Sequence, residues 1–300
     1  MDLAERVLSG DVRALARAAS IVENRNHNAE SLLKELFAHT GRAQLIGVTG
    51  APGAGKSTLV DQFTAHLRGE GKQVGIIAVD PTSPFSGGAI LGDRIRMLRH
   101  HADSGVFIRS MATRGALGGI AKATTEMALL MDAAGRDVIL VETVGVGQDE
   151  VEIARVADAT VVVLAPGMGD DVQAIKAGIM EIADVFVINK ADLPGADRLE
   201  REIKAAQSLG KRRDGWKPPI VQASATEGKG IGEALMAIRK YLEFGNRRNR
   251  AVENWGVRLR EMLRDRLLSA YSGVDFEAAA EEVAARRTDP YTLLEKWTAQ

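Results

Sequence analysis

From Gln44 onward, short, mainly apolar runs alternate with longer stretches whose apolar residues recur every three or four positions. The runs are LIGVT (45–49), VGIIAV (74–79), VFIRS (106–110), VILVE (138–142), TVVVLA (160–165), VFVIN (185–189) and IVQAS (220–224). Strands lined with apolar side chains on both faces must be covered on both faces. The pattern therefore predicts an α/β fold with a mostly parallel sheet flanked by helices. The helices are predicted over 57–69, 93–101, 118–134, 171–182, 197–209 and 230–243.

The two ends read differently. Leu3, Val7 and Leu8, then Val12, Leu15, Ala16, Ala19, Ile21 and Val22, follow helical spacing broken at Gly10. Asn28 is expected to cap a further helix through Leu32, Leu33, Leu36 and Phe37 to Gly41. After Phe244 comes the basic turn GNRRNR. A helix is then predicted from about 249 to 272, with Val252, Trp255, Leu259, Met262, Leu263 and Leu267 as its apolar stripe. The last element has Asp289 as cap and Pro290 at the first helical position. Because that stripe lies outside the α/β unit, the tail reads as an arm pairing with a second subunit, against the alternative of packing on its own core. The expected division is an N-terminal helical extension (1–43), an α/β core (44–244) and a C-terminal dimerisation arm (245–300).

Composition narrows the function classes. A 45% hydrophobic and 26% charged chain suits a soluble globular protein. A formal net charge of −1 offers no broad basic field, which disfavours nucleic acid and membrane surfaces as partners. The absence of cysteine removes disulfides, thiolate metal sites and cysteine nucleophiles together. No secretory h-region or membrane-length apolar run is present, so a cytoplasmic protein is expected.

The chemistry gathers at strand ends. Gly50-Ala51-Pro52-Gly53-Ala54-Gly55-Lys56-Ser57 fits G-x-x-x-x-G-K-[ST] between the strand LIGVT and a helix, the context a P-loop requires. Its backbone N–H groups are expected to curl around phosphate oxygens, helped by the helix N-terminus. Lys56 is expected to reach the β- and γ-phosphates and the Ser57 hydroxyl to ligate Mg²⁺, with Thr58 the next residue toward the nucleotide. Mg²⁺ takes hard oxygen ligands, so acids at strand ends are candidates. Glu142 ends VILVE and opens ETVG, where many P-loop GTPases carry D-x-x-G, and the Gly145 N–H is placed to sense the γ-phosphate. Asp80 ends the second strand, which in many such folds adjoins the P-loop strand, and Asp93 follows a loop rich in Pro and Gly. Asp80 and Asp93 also have structural readings, as the start of a turn and as a helix cap. Val146 stands where Ras-like enzymes carry their water-orienting glutamine, and Gln148 is out of register. Intrinsic hydrolysis is accordingly expected to be slow and to depend on a partner.

Asn189-Lys190-Ala191-Asp192 fits N-K-x-D after a further strand. The Asp192 carboxylate can accept from guanine N1–H and the exocyclic amine, a donor pair adenine lacks. Asn189 can bond the purine's other edge or brace the P-loop, and the Lys190 stem can cover the ring. Ser224-Ala225-Thr226 follows the next strand, with backbone N–H groups within expected reach of guanine O6. GTP is the nucleotide these motifs favour.

The segments LIGVTGAPGAGKSTLVDQF, VDPTSPFSGGAILGDRIRM, RSMATRGALGG, VETVGVGQDE, GMGDDVQAIKAG and NKAD together resemble the MeaB/MMAA/ArgK family of G proteins over nearly the whole chain. The resemblance implies a P-loop NTPase fold and a homodimeric GTPase. It also implies a chaperone of an adenosylcobalamin-dependent acyl-CoA mutase of the methylmalonyl-CoA type, gating cofactor loading and protecting or reactivating the mutase. It further implies that Asp80, Asp93 and Glu142 surround Mg²⁺. Residues 167–176 would then be a loop linking nucleotide state to partner, with Lys176 as a charge stabiliser and Arg94 and Arg114 as weaker candidates. A solvated helix lysine is the competing reading of Lys176. Two other functions compete: a metallochaperone-type GTPase, although the five histidines form no spaced ligand set, and a kinase linked to arginine/ornithine transport.

Overall fold

The computed structural model describes residues 1–24, 26–80, 98–100, 102–112, 119–143, 149–167, 179–209, 212, 214–245, 247–271 and 273–298. At some positions inside described elements, Asp80 among them, the description is of backbone alone.

All seven apolar runs are strands: β1 (Gln44–Thr49), β2 (Val74–Asp80), β3 (Val106–Ala112), β4 (Val138–Glu142), β5 (Ala159–Leu164), β6 (Val185–Ile188) and β7 (Ile220–Gln222). They form one all-parallel sheet in the order β3-β2-β4-β1-β5-β6-β7. Every residue of β4, β5 and β6 is buried, as strands covered on both faces require. One expectation of strand adjacency is corrected. β2 does not adjoin the P-loop strand, because β4 lies between them, with Val48 of β1 level with Glu142 and Glu142 level with Ala78 of β2. Wholly apolar strands carry no mark of which neighbour they take.

Alternate side chains of the sheet meet different helices. On one face Ile46, Val48, Ile76 and Val161 pack with Leu59, Phe63 and Leu67 of α4 (Lys56–Gly69) and with Leu235 and Ile238 of α9 (Ile231–Phe244). On the other, Ile77, Val79, Ile139 and Val141 pack with Met127, Leu130 and Met131 of α5 (Gly119–Ala133). The N-terminal helices α1 (Leu3–Leu8), α2 (Val12–Glu23) and α3 (Ala29–Phe37) join that second cluster through Val7, Leu15, Ala19, Val22 and Leu36. They add a further helical layer against α5. Gly10 takes φ +79° at the break between α1 and α2, and Asp11 caps α2 by accepting from the Arg13 and Ala14 N–H groups at 2.8 and 3.1 Å. Asn28 does precede α3, but its side chain makes no capping hydrogen bond.

Among the described residues, the other helices that flank the sheet are α6 (Asp149–Ala154), α7 (Ile179–Ile182) and α8 (Ala196–Leu209). α6 was not anticipated: six residues are too few to display a stripe. Of the helix predicted over 93–101, only a 3-10 turn at Leu98–His100 falls among the described residues.

By compactness the chain divides into two units, Met1–Ala251 and Val252–Gln300, so the N-terminal helices belong with the sheet. α10 (Arg247–Ala270) begins in the first unit, and the rest of it forms the second with α11 (Phe276–Ala284) and α12 (Pro290–Thr298). Within the second unit the Phe276 and Trp297 rings meet edge-on at 5.4 Å, and Asp289 caps α12 by accepting from the Tyr291 and Thr292 N–H groups at 3.0 Å. Val252, Leu259, Leu263 and Leu267 of α10 are exposed. No described helix is long and apolar enough to cross a membrane.

Candidate nucleotide site

The chain leaves β1 at Thr49 and turns back into α4 through residues 50–55, and two glycines make that path possible. Gly50 has φ +139°, and a Cβ there would lie 2.0 Å from the carbonyl oxygen of Val163 in β5. Gly55 has φ +91°, and a Cβ there would lie 2.2 Å from Asn189 Nδ2. Any larger residue at either position would collide with a neighbouring strand end or its loop. α4 then begins at Lys56, and its first-turn N–H groups have no partners within the helix. An anion entering the loop would meet a helix N-terminus and the Lys56 charge together.

Lys56 is 6% exposed, and its ammonium donates to the carbonyl oxygens of Gly50 and Ala51 at 2.8 and 3.0 Å. Ser57 donates its hydroxyl to Glu142 Oε1 at 2.5 Å, and both residues are buried. This contact exists because β1 and β4 are neighbours and end level with one another. A hydroxyl and a carboxylate oxygen paired beside a phosphate-binding loop form a donor set of the hard type that Mg²⁺ takes. Sequence reasoning missed the buried hydrogen bond between Thr143 and Thr49, 2.9 Å long, which joins the same two strand ends. The only signal available was that each threonine directly adjoins a motif.

The N-K-x-D segment follows β6 and reaches the loop from the other side. Asn189 is 2% exposed; its Nδ2 donates to the Ala54 carbonyl at 2.9 Å and its Oδ1 accepts from the Ala225 N–H at 3.0 Å. Of the two uses expected for Asn189, the structure places its amide against the P-loop. Lys190 takes φ +56°, and its ammonium donates to the Gly53 carbonyl at 2.8 Å. The expectation for Ser224-Ala225-Thr226 is corrected in part. The Ala225 N–H is held by Asn189 and the Ser224 N–H by the Lys229 carbonyl at 3.1 Å, so neither points at a base. The exposed Asp192 stands in the turn after Lys190, and Thr226 is exposed beyond Ala225. Lys229, in the same turn region, has its pKa raised by its ion pair with Glu227 at 2.8 Å.

Gly50, Ala51, Pro52, Gly53, Ala54, Gly55, Lys56, Ser57 and Thr58 therefore lie together at the carboxyl end of β1, between Glu142 on one side and Asn189 and Lys190 on the other. This is the rim at which open α/β sheets bind ligands. Asp80 ends β2 on that rim, with its side chain outside the description. Asp93, Arg94, Arg114, Gly145, Val146, Gln148 and Lys176 lie outside the described residues.

The crystal structure of an LAO/AO transport system kinase matches this fold with a TM-score of 0.77 and 29% identity, covering 99% of this chain and 95% of that one. A Pyrococcus abyssi protein is 49% identical over 97% of this chain and 93% of its own length. The Escherichia coli GTPase ArgK is 43% identical over 78% of this chain and 73% of its own length. A family model described as methylmalonyl-CoA mutase-associated GTPase MeaB matches residues 15–274, from the N-terminal helices through the phosphate loop and into the tail. With the sheet order and the loop geometry in agreement, this chain belongs to the MeaB family and is a GTPase.

Proposed function

We propose that the protein is a Mg²⁺-dependent GTPase that chaperones an adenosylcobalamin-dependent acyl-CoA mutase of the methylmalonyl-CoA type, gating cofactor loading and protecting or reactivating the mutase. The observation that carries this reading is the family match over residues 15–274 to a GTPase described by its association with that mutase. Ser57 and Glu142 would hold Mg²⁺, which neutralises phosphate charge and orients the β- and γ-oxygens when bound. Lys56 supplies a fixed positive charge to the phosphate chain. The loop N–H groups orient that chain, and Asp192 selects guanine by accepting its N1–H and amine protons. Asp80, Asp93, Gly145 and Lys176 complete the proposed site.

Val146 provides no group to orient the attacking water. In this reading hydrolysis is slow alone and accelerated by the mutase, so the nucleotide reports whether the partner is engaged. The protein acts as a homodimer joined through the exposed stripe of α10. A second reading, a kinase, is favoured by the likeness to the 29% identical LAO/AO transport system kinase. It predicts transfer of the γ-phosphate to an acceptor in place of its release.

The test is to mix the purified protein with methylmalonyl-CoA mutase and, separately, with an isobutyryl-CoA-type mutase, then follow co-elution and phosphate release. Binding to one mutase and acceleration of hydrolysis by about tenfold or more are expected. Absence of binding to either, with an unchanged rate, would remove the chaperone reading and leave the GTPase. Label recovered on an acceptor would support the kinase.

A further inference from the structure

The two strand ends that bring Ser57 to Glu142 are fastened again one residue further on. Thr49 ends β1, directly before Gly50 of the phosphate loop, and Thr143 directly follows Glu142 at the end of β4. Both threonines are buried. The Thr143 hydroxyl donates to Thr49 Oγ1 at 2.9 Å, and the Thr143 N–H donates to the Val48 carbonyl at 3.2 Å. The β1–β4 ladder runs in register from Gln44 and Val138 to Val48 and Glu142, so these two bonds carry it past its last paired residues.

Side-chain alternation puts the carboxylate and the hydroxyl pair on opposite faces of the sheet. Val48, Val138 and Leu140 belong to the cluster packed on α4, whereas Ile139 and Val141 belong to the cluster packed on α5. Glu142 keeps step with Leu140 and meets Ser57 at the start of α4. Thr143 keeps step with Val141, and Thr49 alternates with Val48. The carboxylate is thus held by Ser57 on one face, while its backbone is held by the threonines on the other.

The residue type at both positions is informative. A hydroxyl buried at a strand end costs free energy unless it is bonded. Valine fills the same volume without that demand and suits a buried parallel strand at least as well. What threonine adds is a directional bond from a side chain whose branching already restricts its rotation.

We infer that Thr143 and Thr49 are positioning residues for the metal side of the nucleotide site, a role that rests on the proposed reading of Ser57 and Glu142 as Mg²⁺ ligands. Their hydroxyl pair fixes the end of β4 so that the Glu142 and Ser57 oxygens stay together where the metal needs them. Mg²⁺ demands near-octahedral geometry with ligands at about 2.0–2.1 Å, so a small displacement of one oxygen weakens its hold. Neither threonine is a ligand; each acts through the backbone that carries Glu142.

The test titrates Mg²⁺ into the full chain loaded with a fluorescent, non-hydrolysable GTP analogue and follows the rate of analogue release, with melting temperature measured alongside. Thr143→Val is expected to raise the Mg²⁺ concentration that half-slows release by about fivefold, and to leave release without Mg²⁺ unchanged. Thr143→Ser keeps the hydroxyl and should return the Mg²⁺ response to within about twofold of the native protein. Because Thr143→Val strands the Thr49 hydroxyl and can destabilise the fold, a double variant with Thr49→Val and Thr143→Val serves beside it. The double variant should recover melting temperature, since no buried hydroxyl is left unpaired, yet keep the weakened Mg²⁺ response. Glu142→Gln reports on the metal site itself and should weaken the Mg²⁺ response by about tenfold or more. A native response in Glu142→Gln would remove the metal-site reading, and the positioning role with it. An impaired Glu142→Gln beside a native response in Thr143→Val or in the double variant would overturn the positioning role alone.

Discussion

Asn189 stands where two loops meet, and its single amide group serves both. Its nitrogen holds the P-loop through Ala54 and its oxygen holds the turn after β7 through Ala225. Gly55 must be a glycine in part because this amide occupies the space a side chain would need. Asn189 of the guanine motif thus braces the phosphate loop, and in the proposed function the burden of reading the base falls on Asp192. Asp192→Asn would replace an acceptor-only carboxylate with an amide that presents a donor to the guanine donors. Since a hydrogen bond to a charged group contributes about 1.5–3 kcal/mol, GTP affinity is expected to fall by about two orders of magnitude. Xanthosine triphosphate, whose ring carries an acceptor at that edge, should bind the variant better than GTP does. Fluorescence competition with the two nucleotides measures the exchange. An unchanged preference for GTP would remove Asp192 from the base-reading role.

At the scale of elements, the lower ends of β5 and β6 are tied to α9 and the start of α10 by one buried carboxylate. Asp184, fully buried, accepts from the Thr160 N–H at 2.8 Å, from Arg212 at 2.9 Å and from Arg250 at 2.8 Å. Arg212 and Arg250 also lie over the Tyr241 ring at 5.9 and 5.4 Å, and Trp216 packs against Tyr241 and donates to the Asp184 carbonyl at 2.8 Å. Burial pushes the Tyr241 hydroxyl up to about 12, so it stays neutral and accepts a hydrogen bond from Arg250. Asp184→Asn would leave Arg250 facing a neutral amide and Arg212 with only its Asp214 ion pair, at 2.6 Å. Breaking a buried pair in this way costs about 3–5 kcal/mol. Urea denaturation should show a loss of about 3 kcal/mol at neutral pH, and a loss below about 0.5 kcal/mol would mean that the cluster adds little net stability.

At the scale of the whole molecule, the N-terminal helices and the tail have opposite fates despite similar apolar spacing in the sequence. Leu15, Ala18, Ala19 and Val22 are buried against α5, whereas Val252, Leu259, Leu263 and Leu267 remain exposed. An apolar stripe that stays in water is characteristic of surfaces that meet another protein. If α10 joins two subunits, sedimentation of the native protein should give twice the 32.1 kDa chain mass. Replacing Leu259 and Leu263 with Glu should halve it, because two charges would be buried without partners. A native protein that sediments as a monomer at micromolar concentration would remove the homodimer from the proposed function.

The sequence alone determined what is local. Every strand was legible because a mostly apolar run of five or six residues bounded by turns has few other uses, even where, as in VFIRS and IVQAS, polar residues enter it. The phosphate loop was legible because Gly50, Gly55, Lys56 and Ser57 satisfy backbone and charge requirements within a few positions of one another. Only the tertiary structure decided what depends on distant segments. It set β4 between β1 and β2, and so joined Ser57 to Glu142 across 85 positions of sequence. It turned Asn189 toward the P-loop. Spacing along a chain encodes periodicity and turn chemistry, whereas the neighbour of a fully apolar strand and the partner of a buried charge are fixed by packing.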